Sequence, residues 1–202
     1  MSQPAPSSRT QVKRRAHRGH YDIKTIYSII DESKICHLAF MVEGYPGILP
    51  MAFCRVDDFV YFHSSSKNRM FQSLADHPQI SLAFTHLDAL VLARSAFHHS
   101  MNYRSVIVYG QAQMVTEQEE KLLASKALID FIAPDRWPQI RHPNEQELKA
   151  TGFFKVSLAE ASAKIRTGPP VDDEADYALP VWAGIIPCSL KFEDPIPDPK
   201  NN

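Results

Sequence analysis

Apolar residues recur in this chain first at helical spacing and then, over most of its length, in strand-like alternation. Tyr21, Ile23, Ile26, Tyr27 and Ile30 share one helical face, with Asp22 placed to cap the first turn and Tyr21 to staple onto Ile26. The spacing predicts a short helix ending near Ser33. Strand-like segments follow at 35–42, 48–54 and 59–63, separated by turns at Glu43-Gly44-Tyr45-Pro46 and Asp57-Asp58. Residues 68–76 read as a helix stopped by Pro78, after which Ile80, Leu82 and Phe84 alternate with Ser81, Ala83 and Thr85. Two more strands, 89–94 and 103–115, are rich in β-branched and aromatic residues. Thr116 and Glu119 form a capping-box pair for a helix that Pro134 ends, and Asn144 with Glu147 repeat the signal for a shorter one. Residues 153–158 read as the last strand.

About six strands in an antiparallel meander need closure to remove their edges. The expected fold is mainly β: a six-stranded antiparallel split β-barrel with peripheral helices, a sandwich being the alternative. The chain of 202 residues with 44% hydrophobic positions can bury one such core. The expected domain runs over 21–187. Residues 1–20, rich in Pro, Ser and Gln and then basic at Lys13, Arg14, Arg15 and Arg18, are expected to form a disordered arm. From Gly168 the chain fills with proline, so no regular structure is expected there, and 188–202 read as a Pro-rich tail.

Charge and cysteine content narrow the functional classes. A formal net charge of -1 from interspersed charges gives no field for nucleic acid or anionic lipid. No run approaches the roughly 18 apolar residues of a membrane span, and no signal-peptide core is present. The expected partners therefore include neither nucleic acid nor membrane. Three separated cysteines, with no CxxC pair, fit a reducing compartment, the cytoplasm.

Three polar segments exceed what a core requires. His63-Ser64-Ser65-Ser66-Lys67-Asn68-Arg69 joins a strand end to a helix start and gathers hydroxyls, two cations and free backbone N–H groups, a set suited to a phosphate dianion; a solvated serine-rich turn has the same composition. Residues 94–105 place Arg94, His98, His99 and Arg104 beside Val106-Ile107-Val108, as a site lining does. The adjacent His98 and His99 point to opposite faces if extended, which argues against a shared metal, and no metal is expected. In Ser162-Ala163-Lys164-Ile165-Arg166-Thr167-Gly168, Lys164 and Arg166 leave a strand on the same face.

At these segments the sequence resembles the FMN-binding split-barrel superfamily, in its pyridoxamine-oxidase-like branch often labelled flavin-nucleotide-binding protein. The resemblance rests on Tyr21-Asp22 with Ile26-Tyr27, on Leu90-Val91-Leu92-Ala93-Arg94-Ser95, on His99-Ser100-Met101-Asn102-Tyr103-Arg104-Ser105-Val106, and on the segment from Ser162 to Gly168. It implies a homodimer with FMN at the interface. Phe62, His63 and Ser64 resemble the strand end that contacts the flavin, and Lys67-Asn68-Arg69 falls on the phosphate-binding basic pair, with Asn68 departing from the usual basic residue. Leu49-Pro50-Met51 would run along the isoalloxazine edge. Ser100, Asn102, Arg104 and Ser105 would line the cofactor, Ser105 in place of a glutamine. Either Lys164 and Arg166 or Trp182 of Trp182-Ala183-Gly184 would stand at the ring.

True pyridoxamine phosphate oxidases carry a basic residue in the stretch matching 47–53 and an Arg-Leu-His-Asp-Arg segment near the C-terminus. This chain has neither. The resemblance thus implies an FMN-dependent oxidoreductase acting on a small organic substrate, similar to the nitroimidazole-resistance proteins, with His63, His98 or His99 as proton donor. A non-catalytic flavin carrier or sensor, a haem-binding barrel using the same histidines, and a structural dimer remain as alternatives.

Overall fold

Each strand of the meander carries one apolar face, and the chain repeatedly leaves one sheet for another to bury it. The computed structural model describes residues 6–200. The strands are β1 (Gly19–His20), β2 (Cys36–Val42), β3 (Tyr45–Met51), β4 (Phe53–Val56), β5 (Phe59–Ser65), β6 (Gln79–Leu92), β7 (Ser100–Gln111), β8 (Gln113–Val115), β9 (Thr151–Ser157), β10 (Ala161–Arg166) and β11 (Gly184–Pro187). The helices are α1 (Ile23–Glu32), α2 (Arg69–Asp76), α3 (Gln118–Ile132) and α4 (Glu145–Ala150). The chain divides into two compact units, Met1–His86 with Arg104–Ile165, and Leu87–Tyr103 with Arg166–Asn202.

The first unit contains a sheet in the order β1-β10-β7-β6-β2-β3 and a second in the order β4-β5-β9-β8. β2 and β3 form a hairpin from Cys36↔Met51 to Val42↔Tyr45, its turn closed by Glu43 and Gly44 at positive φ. The core joins Ile26, Ile30, Leu38, Phe53, Phe62, Phe84, Val106, Val108 and Phe154. Phe53 meets Phe84 edge-on at 4.9 Å, and Phe62 stacks on Phe154 at 5.7 Å. The antiparallel split barrel with peripheral helices is the observed fold. Among the described residues no helix is long and apolar enough to cross a membrane.

The strand count exceeds six for local reasons. The expected strand 48–54 is two, because the chain leaves the first sheet at Met51 and enters the second at Phe53. The strand 103–115 breaks likewise at Ala112, whose N–H turns to the Pro78 carbonyl at 2.7 Å. The segments expected at 80–84 and 89–94 are instead one strand, β6. The strand after 153–158 is β10, which pairs with β1 through Gly19↔Lys164 and His20↔Ala163.

The caps divide in the same way. The Asp22 side chain accepts from the Thr25 N–H at 2.9 Å, and Asn144 with Glu147 form the expected capping box. The Thr116–Glu119 box does not form: α3 starts at Gln118 with Glu117 at the N-cap and no side-chain cap. Thr116 donates instead to the Glu117 carboxylate.

The arm expected to be disordered holds specific contacts where it is described. Ser7 and Arg9 donate to Glu160, the Val12 N–H donates to the Tyr21 hydroxyl at 2.8 Å, and residues 19–20 are β1. Residues 1–5 lie outside the described residues. Polar contacts, invisible to apolar periodicity, order this segment. In the second unit β11 pairs with β6 from Gly184↔Leu92 to Pro187↔Ala89, so the segment after Gly168, where no regular structure was expected, does contain a strand. Its one proline, Pro187, stands at the strand end, where a missing N–H is tolerated.

Candidate functional site

In the first unit the polar segment after β5 becomes the N-terminal end of α2. Asn68 is its N-cap, accepting from the Met70 N–H at 2.9 Å. That role explains why a side-chain acceptor, and not a cation, stands there. Lys67 and Arg69 flank it, exposed, their side chains without a hydrogen bond or ion pair among the described residues. Ser65 closes the turn: its carbonyl accepts from the Asn68 N–H and its hydroxyl from the Lys67 N–H. Two free cations and the positive end of a helix dipole thus converge on one place.

That helix end shares a cavity of about 500 Å³ with the β2–β3 hairpin, lined by Phe40, Val42, Glu43, Tyr45, Pro46, Gly47, Ile48, Leu49, Asn68, Arg69 and Met70. Leu49, Asn68 and Arg69, expected together from the sequence, are brought together here. Tyr45, Glu43 and Val42 were not foreseen, because a turn and its flanks carry no chemical signature of their own. β3 is the outer strand of its sheet. A proline fits a paired strand only with its nitrogen turned outward, so Pro46 and Pro50 fix the outward set as 46, 48 and 50. Their carbonyls and the single N–H of Ile48 form the open edge, while Leu49 and Met51 turn inward, half-buried.

His63, near the end of β5, lies 5.6 Å from the Phe153 ring. Its Nδ1 is buried with no hydrogen-bond partner, and burial holds its pKa below the ordinary histidine value, so the ring is neutral near pH 7. Phe62 beside it is core, and Ser64 pairs with Gly152.

The remaining first-unit candidates are tied to the protein. Arg104 forms a two-pronged ion pair with Glu32, and the guanidinium holds that carboxyl below its usual range. The Ser105 hydroxyl donates to the Lys164 carbonyl at 3.3 Å, and the Lys164 side chain is half-buried. The Cys36 and Cys54 thiols, pushed up to about 12 by burial, are unreactive.

In the second unit Arg166 is buried rather than aligned with a ligand-facing Lys164. It donates to Asn102 Oδ1 and to the carbonyls of Gly168 and Pro169. Asn102, buried as well, donates back to the Gly168 carbonyl at 3.1 Å. His98 Nδ1 meets the Ser95 hydroxyl at 2.8 Å and His99 Nδ1 the Ser95 carbonyl at 2.9 Å, so both rings brace one turn. Asp172, buried and absent from the sequence reading, accepts from the Arg94 guanidinium and the N–H groups of Arg94 and Ser95. It lies with His98 and Asp176 at metal-ligand spacing, but the Arg94 guanidinium already neutralises its charge. Ser100 is exposed, and Trp182 packs its ring against Gly184.

The fold is thus an antiparallel split barrel with an exposed helix N-terminus and two cations beside an open strand edge. The chain belongs to the pyridoxamine 5'-phosphate oxidase family, whose model matches residues 22–165. No curated protein matches it. Among solved structures it is similar to the flavocytochrome Anf3 from Azotobacter vinelandii, with 42% identity and a TM-score of 0.93 over 98% of this chain and 92% of that one. It is also similar to the FAD and heme binding protein from Mycobacterium smegmatis, with 26% identity and a TM-score of 0.87 over 92% of this chain and 91% of that one. A candidate 5-nitroimidazole antibiotic resistance protein from Bacteroides thetaiotaomicron shares the fold at 21% identity, with a TM-score of 0.63 over 73% of this chain and 86% of that one.

Proposed function

We propose that this protein is a flavin- and haem-carrying oxidoreductase. The observation that carries the reading is the 42% identity, over nearly the whole of both chains, to a protein named a flavocytochrome. The proposal takes FAD as the flavin, in place of the FMN expected from the sequence, because the Mycobacterium smegmatis relative is named for FAD. Both nucleotides share the ribityl phosphate that a helix end with two cations suits.

The residues fit these groups. Lys67 and Arg69 would hold phosphate, Asn68 keeps the α2 end in place by capping it, and the β3 edge offers Ile48 N–H and three carbonyls to the ring system. His63 supplies a neutral imidazole, the protonation state a haem iron requires of its ligand. His98 and His99, whose Nδ1 atoms are engaged with Ser95, offer Nε2 as the alternative ligand atom. A bound flavin supplies two-electron and one-electron chemistry, and a haem supplies one-electron chemistry. The protein's substrate is a small organic molecule. The proposal includes a cytoplasmic homodimer with the flavin at the interface.

The absorption spectrum of the protein as purified, followed by chromatography of the released flavin, tests this reading. Flavin bands with a Soret band, and FAD in the extract, are expected. A protein that stays colourless after incubation with FAD and haemin and desalting overturns it.

A further inference from the structure

Past β11 the second unit ends in a stretch that holds almost nothing of its own chain. Its last tie is at Cys188, whose N–H donates to the Asp88 carbonyl at 3.0 Å and whose Sγ donates to the Leu87 carbonyl at 3.1 Å. From 189 to 200 the hydrogen bonds among the described residues stay inside the stretch: Lys191 to Glu193 at 3.2 Å, and the Lys200 N–H to Asp198 at 2.8 Å. Every residue of 188–200 is exposed. Three of them are large and apolar, Leu190 at 72% exposure, Phe192 at 70% and Ile196 at 93%.

A segment that remains solvated avoids such residues, because it has nothing to bury them against. Here Leu190 and Phe192 precede a proline-rich end in which Ile196 stands between Pro195 and Pro197. Pro195, Pro197 and Pro199 hold the backbone extended and remove its N–H groups, which suits a strap whose side chains enter a groove and not a strand joining a sheet. Pre-extension also lowers the ordering cost of docking.

We infer that residues 188–200 form an arm that clasps a second copy of this chain, with Leu190, Phe192 and Ile196 as its anchors. The inference rests on the homodimer in the proposed function and goes beyond it by naming the segment that holds the copies together. Interface size argues for a second copy over an unrelated partner. In a two-fold pair each copy gives an arm and receives one. Arm plus receiving surface then amounts to about 20–30 residues a side, the extent of a stable interface, whereas one arm on a foreign partner supplies about half. The second unit also exposes Phe97, Val171 and Trp182, apolar surface of the kind that a second copy would present to an incoming arm.

Sedimentation equilibrium on the full chain and on a Leu190→Ser, Phe192→Ser, Ile196→Ser variant tests this. The unmodified protein is expected to be a dimer at micromolar concentration, and the variant's dimer dissociation constant to rise roughly 100-fold with the near-UV circular dichroism unchanged. A photo-crosslinking residue at 192 in the otherwise unmodified chain is expected to give a covalent dimer on irradiation. A monomeric unmodified protein overturns both the arm and the homodimer. A dimer of unchanged affinity in the variant, or a dimer that gives no crosslink from 192, overturns the arm alone. With the unmodified protein and the variant compared at equal cofactor occupancy, the flavin and haem assignment stands or falls separately.

Discussion

Phe71 lies directly over Gly152: a Cβ at 152 would stand 1.8 Å from the Phe71 ring. Phe71 belongs to the first turn of α2, Gly152 to β9 beside β5, and the ring continues into Phe154 at a centroid distance of 4.8 Å. This contact seats the helix end that carries Lys67, Asn68 and Arg69. Gly152→Ala must displace the ring, costing about 1–3 kcal/mol of stability. Because the ring moves with α2, flavin affinity should fall too. Thermal melts and flavin titration check both, and wild-type values in the alanine variant would show that the seat is not needed.

The Arg69 and Lys67 side chains have no partner among the described residues, so truncating them leaves no buried group unpaired. Arg69→Ala should leave folding unchanged and weaken flavin binding by about 1.5–3 kcal/mol, the range for a charge-assisted hydrogen bond. Lys67→Ala should act in the same direction. Fluorescence titration measures the loss, and unchanged affinity in both variants moves the phosphate elsewhere. Asn68→Ala differs in kind: it removes a cap worth about 1 kcal/mol and should register first in the melting temperature.

The features legible in the sequence were those with a local cause. Alternation of Ile80, Leu82 and Phe84 gave the heart of β6, and the Asp22 and Asn144 caps follow from local spacing. The crossings between sheets at Ala52 and Ala112 were not legible, since apolar alternation continues through them and only tertiary packing decides which sheet a residue joins. The polar segment 63–69 stands out in the sequence because its cations and hydroxyls are neighbours along the chain. The fate of Arg104 and Arg166 was not, for their partners Glu32 and Asn102 are distant in the chain. Asp172 follows two prolines in a segment without periodicity, so nothing marked it as a buried carboxylate.

Pyridoxamine 5'-phosphate should not be turned over. The chain has no charge in 47–53, and in the structure this stretch exposes Ile48 and Pro50 while Leu49 and Met51 pack against the core, with nothing to grip a second phosphate. Oxidation assayed with flavin-loaded protein should stay at background. An ordinary enzymic rate would show that substrate phosphate is held by residues outside the family's pattern.

Arg166 is a peg within the second unit, and its substitution should be felt in folding. Arg166→Met leaves the Gly168 and Pro169 carbonyls and the buried Asn102 short of a charged donor, costing about 3 kcal/mol. Flavin affinity measured well below the melting temperature should then be close to wild type. Loss of affinity without loss of stability would place the guanidinium at the cofactor instead.

His63 ties the cofactor reading to a pH dependence that needs no cofactor to measure. Unfolded, it titrates near about 6.5. Folded, burial lowers that value, so the native ring stays neutral while the unfolded one takes up a proton. The contribution to stability is therefore fully present above about pH 6.5 and is lost as pH falls from there through the folded value. In apoprotein, denaturant titrations should show stability falling with acid below pH ~6.5 more steeply in wild type than in His63→Gln. The same variant should lose the Soret band yet retain flavin, because Lys67 and Arg69, proposed to hold the phosphate, are untouched. If the Soret band survives in His63→Gln while the acid slope disappears, the buried ring is neutral as described but another histidine holds the iron.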